Sequence, residues 1–224
     1  MAAMEEIGSG KRIGVVAVQG AFVEHIASLH QLGVECVQVR LPRDLEELDG
    51  LVIPGGESTT ISHLMAAYAL LGPIRELAAR GLPILGTCAG MILLARRAIG
   101  LNSATLGVMD IEVQRNAFGR QVNSFETLLP IPALGSDPFP AVFIRAPLIS
   151  FAQPWVDILA RLPDGTPVAA RQGGLLGAAF HPELTTDLRF HSFFLEEVCG
   201  VTNQGALADR ECGRSKPRFR GGHE

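Results

Sequence analysis

The sequence predicts an α/β fold, an open and mostly parallel sheet flanked by helices on both faces. Short valine-, isoleucine- and leucine-rich runs alternate with amphipathic helical patterns through the first half of the chain. Such unbroken apolar runs are typical of buried parallel strands, and their alternation with helical patterns of about 10–15 residues indicates βαβ units. In the second half, strand-like runs follow one another with turn signals and little helix. We therefore expect antiparallel strands at the edge of the sheet or in a small additional sheet.

The elements of the first half follow from apolar periodicity. Strands are predicted over residues 13–18, 34–39, 51–53 and 83–86, and helices after Gly20, from Ser58, and over residues 73–80. The first helix carries an apolar face at positions i, i+4, i+7 and i+10, which are Phe22, Ile26, Leu29 and Leu32. Its histidines, His25 and His30, are interpreted as solvated or capping residues rather than catalytic ones.

The second half is predicted to add strands over residues 107–115, 140–147, 166–172 and 175–180, and a final amphipathic helix over residues 187–199. One folded domain over residues 13–200 is expected, with a flexible N-terminus over residues 1–12. Residues 201–224 have almost no apolar pattern and more basic than acidic side chains, so a disordered tail is expected there. The sequence contains no internal repeat.

Composition excludes several function classes. Of the 224 residues, 47% are hydrophobic, which excludes a mainly disordered chain. The net charge of −4 gives no indication of a nucleic-acid partner. No apolar stretch reaches the roughly 18–20 uncharged residues of a membrane span, and the N-terminus lacks the apolar segment of a secretory signal. We therefore expect a cytoplasmic protein with neither nucleic acid nor membrane as a partner.

The chain has four cysteines, Cys36, Cys88, Cys199 and Cys212. None forms a C-x-x-C pair, and no cysteine–histidine cluster has the spacing of metal ligands, so no metal site is predicted. Cys36, Cys199 and Cys212 are interpreted as ordinary thiols, either small and buried or exposed.

Cys88 lies between Gly86 and Gly90, where a predicted strand passes into a helix. This G-x-C-x-G pattern matches the strand–turn–helix nucleophile elbow, in which small neighbours let strand and helix approach closely. The helix start favours a thiolate, and the Ala89 N–H can stabilise an oxyanion. Taken alone, the motif leaves open the simpler interpretation of a small residue at a tight turn.

A thiolate nucleophile needs a proton carrier, and His181 follows the strand at residues 175–180. Glu183, two residues later on extended backbone, has its side chain on the same side and could orient the imidazole. The alternative is a His-Pro turn beside a solvated glutamate.

Two consecutive glycines, Gly55 and Gly56, follow the strand at residues 51–53. Their backbone N–H groups could face a developing oxyanion. A phosphate-binding turn is the alternative, but the sequence lacks both G-x-x-x-x-G-K-[ST] and G-x-G-x-x-G.

With LVIPGGESTT, GTCAG and FHPEL in this order, the chain resembles the triad (class I) glutamine amidotransferases. The segments AVQGAFVEHI, PGGESTTI, QRNAFGRQVNSFE (114–126) and VFIRAP (142–147) are similar to the glutaminase subunit of pyridoxal 5'-phosphate synthase. The matching segments run from about residue 13 to residue 199. The resemblance implies a flavodoxin-like class I glutaminase fold.

The resemblance also implies an activity, hydrolysis of L-glutamine to L-glutamate and ammonia through a glutamyl thioester on Cys88. His181 would move the protons and Glu183 would orient it. The N–H groups of Gly56 and Ala89 would bind the oxyanion. Glutamine would be held by Gly56, Glu57, Ser58, Arg115, Ile144 and Arg145, since a guanidinium can pair with the substrate carboxylate.

The implied partner is a synthase subunit, a (β/α)8 barrel that uses the ammonia to make pyridoxal 5'-phosphate in a large hetero-oligomer. Gln19 would lie near the contact with it. Pyridoxal phosphate is then the product of the complex, and no cofactor is expected in this chain. Three alternatives stay open: the glutaminase of another amidotransferase, a different Cys-elbow hydrolase, and an inactive regulatory module. The intact Cys88, His181 and Glu183 argue against the last.

Overall fold

A computed structural model of the chain describes residues 10–115 and 124–200. The strands are β1 (Arg12–Val16), β2 (Glu35–Val39), β3 (Gly50–Ile53), β4 (Ile84–Thr87), β5 (Ala95–Ile99), β6 (Met109–Gln114), β7 (Ser124–Leu129), β8 (Phe139–Ile144), β9 (Leu148–Ala152), β10 (Asp157–Arg161), β11 (Pro167–Gln172) and β12 (Leu175–Ala178). The helices are α1 (Phe22–Gln31), α2 (Ser58–Ala67), α3 (Leu71–Ala79), α4 (Ala89–Leu94) and α5 (Arg189–Phe193).

Seven of these strands form one sheet in the order β10-β11-β12-β4-β3-β1-β2. The five strands from β12 to β2 are mutually parallel, and β10 and β11 extend the sheet with antiparallel pairings. The fold class is confirmed: a mostly parallel sheet flanked by helices, with antiparallel strands at one edge. Two smaller sheets, β5-β6-β9 and β7-β8, come from residues 95–152.

The central strands are buried because both sides of the parallel sheet are covered. Every residue of β3 and β4 is buried, as are four of the five in β1. A cluster of phenylalanines, including Phe139, Phe180 and Phe190, packs beneath the last strands with ring centroids 5.2–6.0 Å apart. Within the described part of the chain, no helix is long and apolar enough to cross a membrane.

The predicted strands and helices of the first half are present within a few residues of their expected ends. Strand β5 and three strands of the second half, β7, β9 and β10, were not predicted. The final helix is α5, which continues as a π-helical turn over Phe194–Val198. The expectations for residues 1–9 and 201–224, and for the middle of the 114–126 segment, fall outside the described residues.

The turn from β4 into α4 depends on two glycines. A Cβ at Gly90 would collide with the carbonyl oxygen of Ile53 in β3, and a Cβ at Gly86 would lie 2.6 Å from the carbonyl carbon of Gly90. Strand β4 and helix α4 can therefore fold back on each other, and onto β3, only without side chains at these positions.

We expect Gly90→Ala to lower the free energy of unfolding by about 1–3 kcal/mol or more, because the added methyl meets backbone that cannot move aside. Urea denaturation measures the change. Gly72→Ala is the matched control: Gly72 also lies in the first turn of a helix, α3, but a Cβ there meets nothing within 4 Å. This variant should stay within about 1 kcal/mol of wild type, because the helix preference of alanine and the restriction on a residue before proline, here Pro73, oppose each other. Equal stability of the two variants would contradict the steric account.

Candidate active site

Four neighbouring parallel strands end at the same edge of the sheet, and each is followed by a segment with polar groups. Strand β1 leads to Gln19, β3 to the 54–58 loop, β4 to Cys88 and β12 to His181. Because ligands of open α/β sheets bind beyond the carboxyl ends of the strands, this edge is the expected position of a site.

Cys88 occupies a strained backbone conformation at the elbow, with φ 48° and ψ −103°. Its N–H donates to the carbonyl of Ala178 at 2.7 Å, which ties the turn to the end of β12. The side chain is 6% exposed, and Sγ lies 3.8 Å from the carbonyl oxygen of Ile144. The strain presents a single thiol at the strand end, as an elbow requires.

His181 is held between a backbone contact and a carboxylate. Its N–H donates to the Val142 carbonyl of β8 at 2.8 Å, and its ring Nδ1 lies 2.7 Å from Glu183 Oε1. Glu183 is buried in a short 3-10 turn, Pro182–Leu184. Since Nδ1 faces the carboxylate, Nε2 is the ring nitrogen left to exchange protons in the cavity that His181 shares with Cys88.

Electrostatics favour a charged His181. Burial alone would lower its pKa, but the hydrogen bonds to Cys88 and Glu183 outweigh burial and raise the pKa to about 10. Burial would likewise raise the pKa of Glu183, but His25 and His181 outweigh it and lower that pKa. By contrast, burial raises the pKa of Cys36 to about 11 and of Cys199 to about 12. These two thiols are poor nucleophiles at neutral pH.

Two hydrogen bonds of Gly55 hold the loop after β3 in place. The Gly55 N–H donates to Thr87 Oγ1 at 3.1 Å, and its carbonyl accepts from the Ala21 N–H at 3.0 Å. A Cβ at Gly55 would collide with the His181 ring, so the loop can approach the imidazole only because this residue is glycine.

A cavity of about 400 Å³ opens at this edge of the sheet. It is lined by Gln19, Gly56, Glu57, Ser58, Cys88, Ile92, Arg115, Ile144, Arg145 and His181. All the residues predicted to bind substrate are therefore brought to one cavity with Cys88 and His181, while Ala89 is buried directly after the cysteine. Their individual roles stay predictions.

Glu57 caps helix α2 and also lines the cavity. Its carboxylate caps α2 by accepting from the N–H groups of Thr59 and Thr60, at 3.1 and 2.7 Å, and also contacts Arg115 Nη2 at 3.1 Å. Helix α2 therefore begins with Glu57 as its cap. The carboxylate of Glu57 loses hydration, which raises its pKa, but the Thr60 and Thr59 hydrogen bonds outweigh this and lower the pKa to about 2. Gln19 Oε1 accepts the Glu57 N–H at 3.0 Å.

The interpretation of His25 as a solvated or capping residue is wrong. Its side chain is fully buried, with ring nitrogens 3.0 Å from Thr87 Oγ1, 3.0 Å from His191 Nε2 and 3.2 Å from Glu183 Oε2. His30 is exposed, as predicted. A signal for His25 existed in the sequence, since it shares the inward face of α1 with Leu29 and Leu32 at i, i+4 and i+7.

Comparisons with known proteins agree on one family. A family model described as the SNO glutamine amidotransferase family matches residues 15–200. The chain is 59% identical over 187 residues to "Pyridoxal 5'-phosphate synthase subunit PdxT" of Moorella thermoacetica, covering 84% of this chain and 99% of that protein. The protein of the same name from Herpetosiphon aurantiacus is 59% identical over 186 residues, covering 82% and 98%. A crystal structure of a glutamine amidotransferase, 46% identical, superposes with a TM-score of 0.79 over 84% of this chain and 98% of that one.

The capping role of Glu57 gives a pH-dependent effect on stability. A carboxyl whose pKa is lower in the folded state stabilises that state above its unfolded pKa, and the stabilisation is lost as the pH falls toward the folded value. We expect wild type to be more stable than Glu57→Gln above pH 4.5, and the difference to disappear as the pH approaches about 2. Because the side chain is half exposed, the difference should not exceed about 1 kcal/mol.

Urea denaturation at about pH 7 and about pH 3 measures the difference between the two proteins. Glu126→Gln, an exposed carboxylate on β7, serves as the control and should show little effect at either pH. A Glu57→Gln effect that is the same at both pH values would contradict the lowered pKa.

Proposed function

Because the chain belongs to the SNO glutamine amidotransferase family, we propose that it is the glutaminase subunit of a pyridoxal 5'-phosphate synthase. It hydrolyses L-glutamine and delivers the ammonia to a synthase subunit. The observation that carries the proposal is the 59% identity to proteins named as that subunit, over nearly their whole length. The cavity that joins Cys88 and His181 supports it independently.

The first half of the reaction forms a thioester. The Cys88 thiolate attacks the carbon of the glutamine side-chain amide, and negative charge develops on the amide oxygen. The N–H groups of Gly56 and Ala89 stabilise this oxyanion. The His181 imidazolium then gives its proton to the amide nitrogen, the carbon–nitrogen bond breaks and ammonia leaves.

The second half restores the enzyme. Neutral His181 accepts a proton from water, the resulting hydroxide attacks the thioester, and the carbon–sulfur bond breaks to release glutamate and the Cys88 thiolate. Glu183 keeps the proton of His181 on Nδ1, so that Nε2 can exchange protons with the reacting groups. The buried position of Glu183 supports this role, because its negative charge stabilises the imidazolium without competition from water.

The polar lining of the cavity suits the amino-acid end of glutamine. Arg115 is held by Glu57 and by the Gly100 carbonyl, at 3.1 and 2.8 Å, so its guanidinium has a fixed orientation. Arg145, which has a left-handed backbone (φ 45°), lines the cavity beside Ile144. We propose that the arginines bind the α-carboxylate, with Glu57 and Ser58 near the α-amino group.

The partner is proposed to be a (β/α)8 barrel synthase subunit in a large hetero-oligomer, with Gln19 near the contact. The direct test is glutamate release from glutamine by this chain alone and with that subunit. We expect the subunit to stimulate hydrolysis. Stimulation only by a different acceptor enzyme would favour the glutaminase of another amidotransferase, and no hydrolysis under either condition would favour an inactive module.

We expect Cys88→Ala to lower glutamine hydrolysis by a factor on the order of 10,000 or more, because no thioester can form. The complex should still make pyridoxal phosphate from ammonium salts, since the synthase subunit needs only ammonia. Cys36→Ala, a half-buried thiol on β2, is the matched control and should retain activity. Loss of the ammonium-driven synthesis in Cys88→Ala would contradict the division of labour.

We expect Arg145→Ala to raise KM for glutamine about tenfold or more, because a hydrogen bond to a charged group contributes about 1.5–3 kcal/mol. Steady-state glutaminase kinetics in the presence of the synthase subunit measure the effect. Arg161→Ala, an exposed arginine on β10 outside the cavity lining, should leave KM unchanged. An unaltered KM in Arg145→Ala would exclude this arginine from substrate binding.

A further inference from the structure

A buried polar cluster lies behind the His181–Glu183 pair. It consists of His25 from α1, Thr87 from β4, Glu183 and His191 from α5, and none of the four side chains is more than 6% exposed. His25 is the centre: Nδ1 lies 3.0 Å from His191 Nε2, and Nε2 lies 3.0 Å from Thr87 Oγ1 and 3.2 Å from Glu183 Oε2. The described residues contain no group of three or more His, Cys, Asp or Glu side chains arranged to hold a metal, so the cluster is not a metal site.

The second oxygen of Glu183 needs a donor. Oε1 accepts from His181, whereas Oε2 is buried and, among the described residues, makes no well-aligned hydrogen bond. Its close polar contact is His25 Nε2. A bare ring nitrogen at 3.2 Å would repel the carboxylate with its lone pair, whereas an N–H there is attracted to it. The carboxylate therefore favours a proton on His25 Nε2.

The other end of the cluster supports the same assignment. With the proton on Nε2, His25 Nδ1 accepts from His191 Nε2–H, and the buried His191 Nδ1 is a bare acceptor. The opposite assignment would leave His191 Nδ1 as a buried N–H without a partner in the described structure, and buried unpaired donors are rarer than unpaired acceptors. The direction of donation is thus from His191 to His25 and from His25 to Thr87, and the same Nε2–H lies close to Glu183 Oε2.

Both rings stay neutral at physiological pH. Burial lowers the pKa of His25, although Glu183 and Glu24 oppose this and His181 reinforces it. Burial, with His25 adding to it, lowers the pKa of His191 to about 3. The Nε2–H of a neutral His25 attracts the carboxylate without neutralising it, which leaves the negative charge of Glu183 available to His181.

We propose that His25 is a positioning residue of the catalytic machinery, whose Nε2–H holds the Glu183 carboxylate against His181. His191 fixes the His25 ring from behind. Through Thr87, which also accepts the Gly55 N–H, the same ring reaches the loop that carries the proposed oxyanion group. The inference rests on the proposed glutaminase function, since His181 and Glu183 act there.

Two conservative substitutions separate the functions of the two ring nitrogens. A glutamine side chain at position 25 places its amide nitrogen where Nε2 of the histidine lies. An asparagine side chain is shorter, and its amide nitrogen reaches only the position of Nδ1. In the complex with the synthase subunit, His25→Asn should lower kcat by a factor on the order of 10–100, the size of effect seen when a partner one contact away from the reacting groups is lost, while KM for glutamine stays unchanged. His25→Gln should restore most of the lost kcat.

His30→Gln on the exposed side of the same helix is the control and should match wild type. Equal losses in His25→Gln and His25→Asn, or a loss expressed in KM alone, would overturn the proposal and leave His25 as a packing residue.

A second measurement does not depend on glutamine. Iodoacetamide alkylation of Cys88 against pH, in the full chain with Cys212→Ser, reports the thiolate–imidazolium pair. In His25→Asn the alkylation rate near neutral pH should fall by up to about tenfold, because a poorly held Glu183 stabilises the His181 cation less. If wild type shows glutaminase activity and the two alkylation profiles coincide, His25 does not position Glu183. If the wild-type complex releases no glutamate, the proposed function fails, and the alkylation profiles still decide the role of His25.

The proton assignment is testable in the wild-type chain, so misfolding of a variant cannot hide the answer. Proton–nitrogen correlation spectra of the histidine rings identify which nitrogen carries the proton. We expect both His25 and His191 to be protonated on Nε2. A proton on Nδ1 of His25 would overturn the proposal.

Discussion

The contact between helix α4 and the end of strand β3 sets the position of the reacting groups. It exists because Gly90 has no side chain to separate the helix from the Ile53 carbonyl. With the helix so close, Cys88 must adopt a positive φ, and its N–H reaches the Ala178 carbonyl of β12. His181 is the third residue after β12. The proposed nucleophile and its proposed proton carrier are therefore related through backbone pairing of parallel strands, which is far stiffer than contact between side chains.

The second constraint is electrostatic. Glu183 is a carboxylate inside the protein, which is costly unless its charge is balanced and its oxygens are hydrogen-bonded. His181 balances the charge, and the neutral His25 and His191 contribute directed N–H groups without adding a second positive charge. The contacts that offset the cost of burying the Glu183 carboxylate also hold it beside the His181 ring, where it stabilises the imidazolium. The stability of the fold and the reactivity of the Cys88 thiol thus depend on one buried cluster.

The elements that sequence patterns missed share a physical reason. Strand β5 (Ala95–Ile99) contains two exposed arginines that pair with Asp110 and Glu112 of β6, so it has no apolar run to recognise. Strand β10 is an edge strand with irregular register against β11. Edge and partly exposed strands are stabilised by partners distant in the chain, and a local window contains little of that information. The central strands were predictable because burial on both sides requires unbroken apolar runs.

For the site, the chain itself determined the elbow, the His181-x-Glu183 pair and the glycine loop, because each is a short local pattern with its own backbone requirement. It also determined the family, through motifs spread over most of the domain. Only the tertiary structure decided that His25 faces Glu183 and that His191 lies behind it. His25 and Thr87 are 62 positions apart, and His25 and His191 are 166 apart. The spacing to Leu29 and Leu32 places His25 on the inward face of α1, but the pattern does not say which residues lie opposite. The contacts of α1 with Thr87 and with the Pro182–Leu184 turn made His25 part of the site.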